Sequence, residues 1–264
     1  EGALTVNLSA PATVLPASRN VLFVVSDPAV LTADETAIVA QMAARGYDVD
    51  DADAVGLEVT FIQAMAQAPA DFEQKFNVVI GTEELGINQA AYDHLTATYG
   101  NTTVPFVTSE RALWDGMGVA LGAYTDVIDV TSIVIADPSH PIMVGAGYGA
   151  ATPGDEVAIY GAIGPMAYVN TPDASIGDDA TVIATGQIGS IAEGQPVLFV
   201  YEQGTRLADN AEIALSKHIN YFFDENAQLT VDPLTDPKPW DLFFSTLDYA
   251  MTPSASDLPV LGTA

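Results

Sequence analysis

The sequence predicts an α/β fold, a parallel sheet with helices on both faces, and three observations carry that reading. Short apolar runs at 20–26, 77–81 and 104–108 are continuous rather than alternating, as strands buried on both faces are. Stretches of helical spacing lie between them, opened by capping residues and closed by glycine. The chain of 264 residues is 49% hydrophobic and 16% charged, a globular composition with length enough for a sizeable core.

Residues 1–19 read as an extended arm in which Thr5, Val6 and Leu8 precede Pro11 and Pro16. The first strand, 20–26, ends at a turn on Asp27-Pro28. Thr32-Ala33-Asp34-Glu35 makes a capping box, because the Thr32 hydroxyl can accept the N–H three residues on while Glu35 reaches back. The helix it opens carries Ile38, Val39 and Met42 on one face and stops at Gly46. A weaker strand is expected at 47–52, then a helix in which Leu57, Phe61, Ile62 and Met65 recur up to Pro69. Residues 77–81 repeat the strand, Asn88 caps a helix carrying Tyr92, Leu95 and Tyr99, and 104–108 form a further strand. This alternation argues for right-handed βαβ units.

From Thr131 the pattern changes. Segments 131–136, 156–160, 166–169, 180–185 and 197–202 are short and β-like, separated by Gly, Pro and Asp. They predict an antiparallel, β-rich extension over 131–202. Two helices are expected after it. The first, 209–223, carries Leu215, Ile219, Phe222 and Phe223. The second, 239–251, carries Trp240, Phe243, Phe244, Leu247 and Met251 at i, i+3, i+4, i+7 and i+11. Residues 252–264 form a second extended tail, so one α/β domain occupies 20–251.

Charge excludes more than it suggests. Thirty-five acidic residues against seven basic ones give a formal charge of -28, which repels phosphate backbones and anionic headgroups. No nucleic-acid partner and no membrane insertion are expected; the apolar runs are far shorter than the ~20 residues that span a bilayer. The absence of cysteine removes thiol catalysis and thiolate metal sites. Residues 1–20 lack a basic region followed by an apolar run, so no signal peptide lies there. Few lysines and a low total of charged residues suggest an exported, secreted or cell-surface protein of a marine or saline organism. A cytosolic protein of an extreme halophile is the rival.

Several phrases, in order, resemble a known superfamily. They are Ser26-Asp27, Ala43-Ala44-Arg45-Gly46-Tyr47, Asn77-Val78-Val79-Ile80-Gly81 and Val104-Pro105-Phe106-Val107 followed by Ser109-Glu110. Later come Ala136-Asp137-Pro138-Ser139-His140-Pro141-Ile142 and Val200-Tyr201-Glu202-Gln203-Gly204. Over residues 20–251 this is similar to the class I glutamine-amidotransferase-like superfamily, especially its secreted, trehalose-utilisation-protein-like branch. The resemblance implies a flavodoxin-like sheet and attachment to extracellular proteins. The family's amidotransferases use a Cys on a sharp strand-to-helix turn, with a downstream His and Glu. Here the matching turn is Thr108-Ser109-Glu110-Arg111, with neither the Cys nor the glycines of a nucleophile elbow. The resemblance therefore implies fold and not glutaminase chemistry.

In an open parallel sheet, ligands bind beyond the carboxyl ends of the strands. That rule selects Ser26, Asp27, Glu83, Ser109 and Glu110, and the landmark phrases add His140 and Glu202. Carboxylates and hydroxyls facing one crevice suit a sugar, a divalent cation or an acid/base pair. The same residues suit local roles equally: Asp27 as a turn former, Ser109 as a cap, Glu110 in a first helical turn. His140, between Ser139 and Pro141, reads as a triad member or as a buried histidine donating to a backbone carbonyl. His94 and His218 read as surface residues. The acidic run Asp48, Asp50, Asp51 and Asp53 lacks the Gly and Glu of an EF-hand loop, and Asp173, Asp178 and Asp179 carry no better signal. No cofactor is expected, and weakly held calcium is the one metal these runs suggest. The functional expectation is a non-catalytic extracellular structural or assembly protein, partnered by itself or by other cell-surface proteins in a filament or lattice. The rival is a secreted hydrolase or carbohydrate-binding domain that uses the crevice.

Overall fold

The computed structural model describes residues 19–47, 59–81, 89–121, 125–160, 164–170, 175–208, 211–222 and 238–253. Its strands are β1 (Val21–Val25), β2 (Val59–Gln63), β3 (Val78–Gly81), β4 (Phe106–Thr108), β5 (Thr125–Val130), β6 (Ser132–Ile135), β7 (Glu156–Ala158), β8 (Gly164–Val169), β9 (Thr181–Gly186), β10 (Pro196–Tyr201) and β11 (His218–Asn220). Its helices are α1 (Ala33–Ala44), α2 (Phe72–Lys75), α3 (Gln89–Tyr99), α4 (Pro141–Gly145) and α5 (Lys238–Ala250).

Among the described residues, nine strands form one sheet in the order β2-β1-β3-β4-β11-β10-β9-β6-β7. The first five run parallel, in the flavodoxin-like arrangement of a doubly wound sheet. The remaining four continue it antiparallel, while β5 and β8 pair separately. The predicted fold class and the antiparallel extension are both present.

β1 shows why the parallel half forms. All five of its residues are buried. Val21, Phe23 and Val25 enter one core with Ile38, Met42, Trp240 and Leu247. Leu22 and Val24 enter the other with Leu95, Tyr99 and Trp114. The strand has no polar face because both faces are covered by helices. The capping box before α1 is formed: Glu35 N–H donates to Thr32 Oγ1 at 3.2 Å and Thr32 N–H to Glu35 Oε2 at 2.8 Å. The helix ends in a Schellman motif on Gly46, at φ 85°. There Gly46 N–H reaches the Ala43 carbonyl and Tyr47 N–H the Met42 carbonyl.

Two expected helices are strands. Residues 59–63 pair in parallel with β1 along their whole length, because Val59, Thr60 and Ile62 suit a pleated edge and the helical recurrence there was too short to decide. The strand expected at 47–52 lies outside the described residues beyond Tyr47. Of the helix expected over 209–223, the described residues 211–222 are a connection followed by β11, which fills the slot between β4 and β10. Leu215, part of the supposed apolar stripe, is 47% exposed.

α5 forms as its stripe predicts, with Trp240, Phe243 and Leu247 buried, and its C-terminal end is locked from outside. Lys217, only 2% exposed, donates from Nζ to the Tyr249 carbonyl at 2.9 Å and to the Thr252 carbonyl. An ammonium there meets carbonyls that have no partner inside the helix. α4 crosses α5 at close range: Ser245 Oγ donates to the Ile142 carbonyl at 2.7 Å, and a Cβ on Gly145 would stand 2.2 Å from that oxygen.

Gly145→Ala is therefore expected to destabilise the protein by about 1–3 kcal/mol, the cost of overpacking a tight contact. Placing it on a Ser245→Ala background should reduce that cost. Urea midpoints of the four proteins measure it, and an unchanged cost would mean the contact is not the constraint.

Candidate functional site

The carboxyl edge of the parallel strands is built from the ends of β1, β3 and β4. Registers place Val24 beside Gly81 and Gly81 beside Thr108, and Ser109 N–H donates to the Gly81 carbonyl at 3.1 Å. Ser26, Asp27, Ser109 and Glu110 thus stand on neighbouring strand ends, as the topology rule predicts. Glu83 lies outside the described residues.

Their side chains have local work. Asp27 is exposed and its Oδ1 accepts from Ala29 N–H at 2.9 Å, an Asx turn. Thr108 Oγ1 accepts from Glu110 N–H at 3.0 Å, and Glu110 Oε1 accepts from Ala112 N–H at 2.9 Å. Glu110 thereby caps a short 3-10 turn, Arg111–Leu113. Its backbone, at φ -71° and ψ 95°, is extended, so it is not the left-handed corner of a nucleophile elbow. Ser109 and Glu110 are buried, at 6% and 4% exposure.

His140 and Glu202 are elsewhere. Ile135 pairs with Ala184, Val200 with Thr181 and Tyr201 with His218. The ends of β6 and β10 therefore lie at the amino edge of the parallel strands. The seven sequence candidates do not share one crevice: four described ones occupy one edge and these two the other. The antiparallel half reverses which edge a strand end reaches.

His140 caps α4, its Nδ1 accepting from Ile142 N–H at 3.3 Å. It accepts from the backbone rather than donating to a carbonyl. Ser139 Oγ donates to Asp137 Oδ1 at 2.6 Å, so hydroxyl and imidazole are not paired as a triad requires. That hydroxyl, first among causes, holds the Asp137 carboxyl below its usual range. Burial pushes the His140 imidazole down to about 4. Its ring meets Tyr249 edge-on at 4.6 Å between centroids. The Tyr249 hydroxyl donates to Glu202 Oε1, and the Lys217 ammonium lies 4.5 Å from the Tyr249 ring centre. Burial, with the Glu202 carboxylate second, raises the phenol's pKa.

His218 is not a surface residue. It is 1% exposed on β11, with Nδ1 3.2 Å from the Met117 carbonyl, and burial pushes it down to about 4. His94, half-buried, places Nε2 2.8 Å from the Ala66 carbonyl. Lys217 and Tyr249 went unrecognised in the sequence; a lysine kept among only seven basic residues was the available signal.

Asp179 Oδ2 accepts from Arg206 N–H at 2.9 Å, while Asp48, Asp50, Asp51, Asp53 and Asp173 lie outside the described residues. No group of three or more metal-ligating side chains converges among the described residues, and none of their helices is long and apolar enough to cross a membrane. Two grooves open near the amino edge. One, of about 490 Å³, runs between α4 and α5 past Pro141, Phe244, Asp248 and Tyr249. The other, of about 560 Å³, lies beneath β3, β4 and β11.

No family model matches the chain, and no curated protein matches it. Among solved structures, a ThuA-like protein from Bacteroides uniformis ATCC 8492 superposes with a TM-score of 0.54 at 12% identity, covering 97% of this chain and 100% of that one. The mmIFT52 N-terminal domain gives 0.49 at 11% identity, covering 86% and 96%. The glutaminase domain of Trypanosoma brucei CTPS with bound acivicin gives 0.44 at 10%, covering 88% and 94%. The first likeness carries the assignment: the chain shares the fold of that ThuA-like protein, and likeness at this identity speaks of fold alone.

His140 and His218 fix a pH dependence. Both have folded-state pKa values near 4, below the ordinary ~6.5 that the unfolded chain keeps. Their contribution is complete above pH ~6.5 and is lost as pH falls towards 4, each at up to about 1.4 kcal/mol per pH unit. His140→Asn keeps a capping side chain without a titrating one. Its melting temperature should fall less between pH 7 and pH 4 than the parent's; parallel curves would contradict the assignment.

Proposed function

We propose that the chain is a non-catalytic structural or assembly protein of the cell exterior, self-associating into a filament or surface lattice while cations screen its charge. The state of the carboxyl edge supports this reading. In folds of this class that edge carries the ligand chemistry, and here Asp27, Thr108 and Glu110 close turns with hydrogen bonds to Ala29, Glu110 and Ala112. Acid/base and nucleophilic catalysis need a base within about 3 Å of its partner. The three histidines engage Ile142, Met117 and Ala66 instead.

A charge of -28 makes copies repel until counterions shorten the screening length from about 10 Å at 0.1 M salt to about 3 Å at 1 M. Assembly is thus tied to a salty or calcium-containing exterior. Weak calcium binding by exposed carboxylates and contacts with other cell-surface proteins belong to the same proposal. Of the sheet's two described edge strands, β2 and β7, the latter has three residues, of which Glu156 and Ala158 are exposed. A short, charged edge is a poor template for strand addition. The arm at 1–18, the other half of such an addition, lies outside the described residues.

A secreted hydrolase or carbohydrate-binding role remains the second reading, favoured by the buried Ser109–Glu110 pair at a strand end. Light scattering and electron microscopy at low salt, high salt and millimolar calcium test the first. Ordered filaments or sheets are expected under screening, and a monodisperse monomer throughout would contradict it. A glycan screen of the parent and of Asp27→Ala/Glu110→Ala tests the second, which requires binding in the parent and its loss in the variant.

A further inference from the structure

Ile191 and Ile188 are 75% and 51% exposed, both on the connection between β9 and β10. Single exposed apolar side chains are ordinary, but this connection is built to hold a pair of them outward. Gly189 N–H donates to Glu193 Oε2 at 2.8 Å, Ser190 Oγ to the Gln187 carbonyl at 2.7 Å, and Ala192 N–H to Ser190 Oγ at 3.2 Å. Gln187 Oε1 ties the tip to the sheet by accepting from Thr131 N–H at 2.8 Å. The turn is completed by Gly189 and Gly194 at φ 76° and 75°. A tip ordered in advance loses little further entropy on docking. Its single charged residue, Glu193, is turned back onto the loop.

The opposite edge offers a counterpart. Half of the 560 Å³ groove's lining is apolar, including Phe76, Val104, Pro105, Leu215 and Met251, and half is polar, including Asn77, Thr103 and Gln203. Its charged residues are one acid, Glu73, and one base, Lys217, so its lining carries no net charge. β10 runs antiparallel to β11, which puts the β9–β10 tip at the carboxyl edge and the groove at the amino edge of the same sheet. On a chain of net charge -28, these are two surfaces of low net charge that meet with little like-charge repulsion. A projection at one end and a groove at the other give a heterologous contact, which repeats as an open filament.

The geometry points to a second copy of this chain as the occupant: the Ile188/Ile191 tip of one molecule seats in the amino-edge groove of the next, head to tail. This rests on the self-association reading above and names the surfaces that carry it. A foreign partner would need only one of the two surfaces; the chain carries both halves of the contact.

Two variants test it without touching the core. Ile188→Ser/Ile191→Ser removes the tip, and Leu215→Glu places a charge at the groove through a side chain that is 47% exposed. Unchanged thermal melts verify folding, and sedimentation velocity at high salt and millimolar calcium reads assembly. The parent should polymerise, while each variant should need at least ~tenfold more protein to associate. An equimolar mixture of the two variants should form dimers and stop there, because one intact tip meets one intact groove. Parent and variants that polymerise alike would overturn this contact and leave self-association standing. Variants that lose assembly but do not pair with each other would overturn the head-to-tail arrangement. A parent that stays monomeric would overturn the self-association reading itself.

Discussion

The structure depends on where β11 sits. Three residues, His218–Asn220, pair in parallel with β4 on one side and antiparallel with β10 on the other. Remove that pairing and the parallel half has no connection to the antiparallel half through the sheet. Its neighbours reinforce it. Lys217 closes the end of α5, His218 reaches the Met117 carbonyl, and Asn220 Nδ2 donates to the Val197 carbonyl at 3.0 Å. A buried lysine, histidine and asparagine within four residues, Lys217, His218 and Asn220, are costly unless partnered. Here the partners lie on α5, on the turn at Met117 and on β10, and this ties the strand to all three.

The same seam decides what the two edges of the sheet contain. Strands before it end at the carboxyl edge and bring Ser26, Asp27, Ser109 and Glu110 there. Strands beyond it alternate in direction, so His140 and Glu202 arrive at the amino edge beside Lys217 and Tyr249. The polar groups the sequence singled out are thus divided between two edges of the sheet. Their hydrogen bonds close turns and cap helices. A net charge of -28 makes any contact between molecules depend on screening.

Signals that depend on residues three or four apart were legible in the sequence. The Thr32–Glu35 box, the stop at Gly46 and the stripe of α5 all formed as read. Turn formation by Asp27 was also within reach, because that residue type favours turns wherever it occurs, whereas the cap expected at Ser109 falls one residue on, at Glu110. Pairing partners were not legible. Residues 59–63 and 218–220 carry apolar side chains at spacings that a helix would also use, and strands of five and three residues are too short to display a period of their own. The free edge of β1 and the slot between β4 and β10 made them strands. His218 was misread for the same reason: its burial is a property of the slot. Placing His140 and Glu202 on the correct edge required strand direction, which no local pattern contains.

Native-state hydrogen exchange of the backbone amides tests the role of β11 most directly. If the seam joins the sheet into one cooperative unit, the protected amides of β1, β3, β4, β11, β10 and β9 should open with a common free energy equal to that of global unfolding. Exchange of β9 and β10 through a lower-energy opening, with β1, β3 and β4 still protected, would contradict the account and make the two halves separate units.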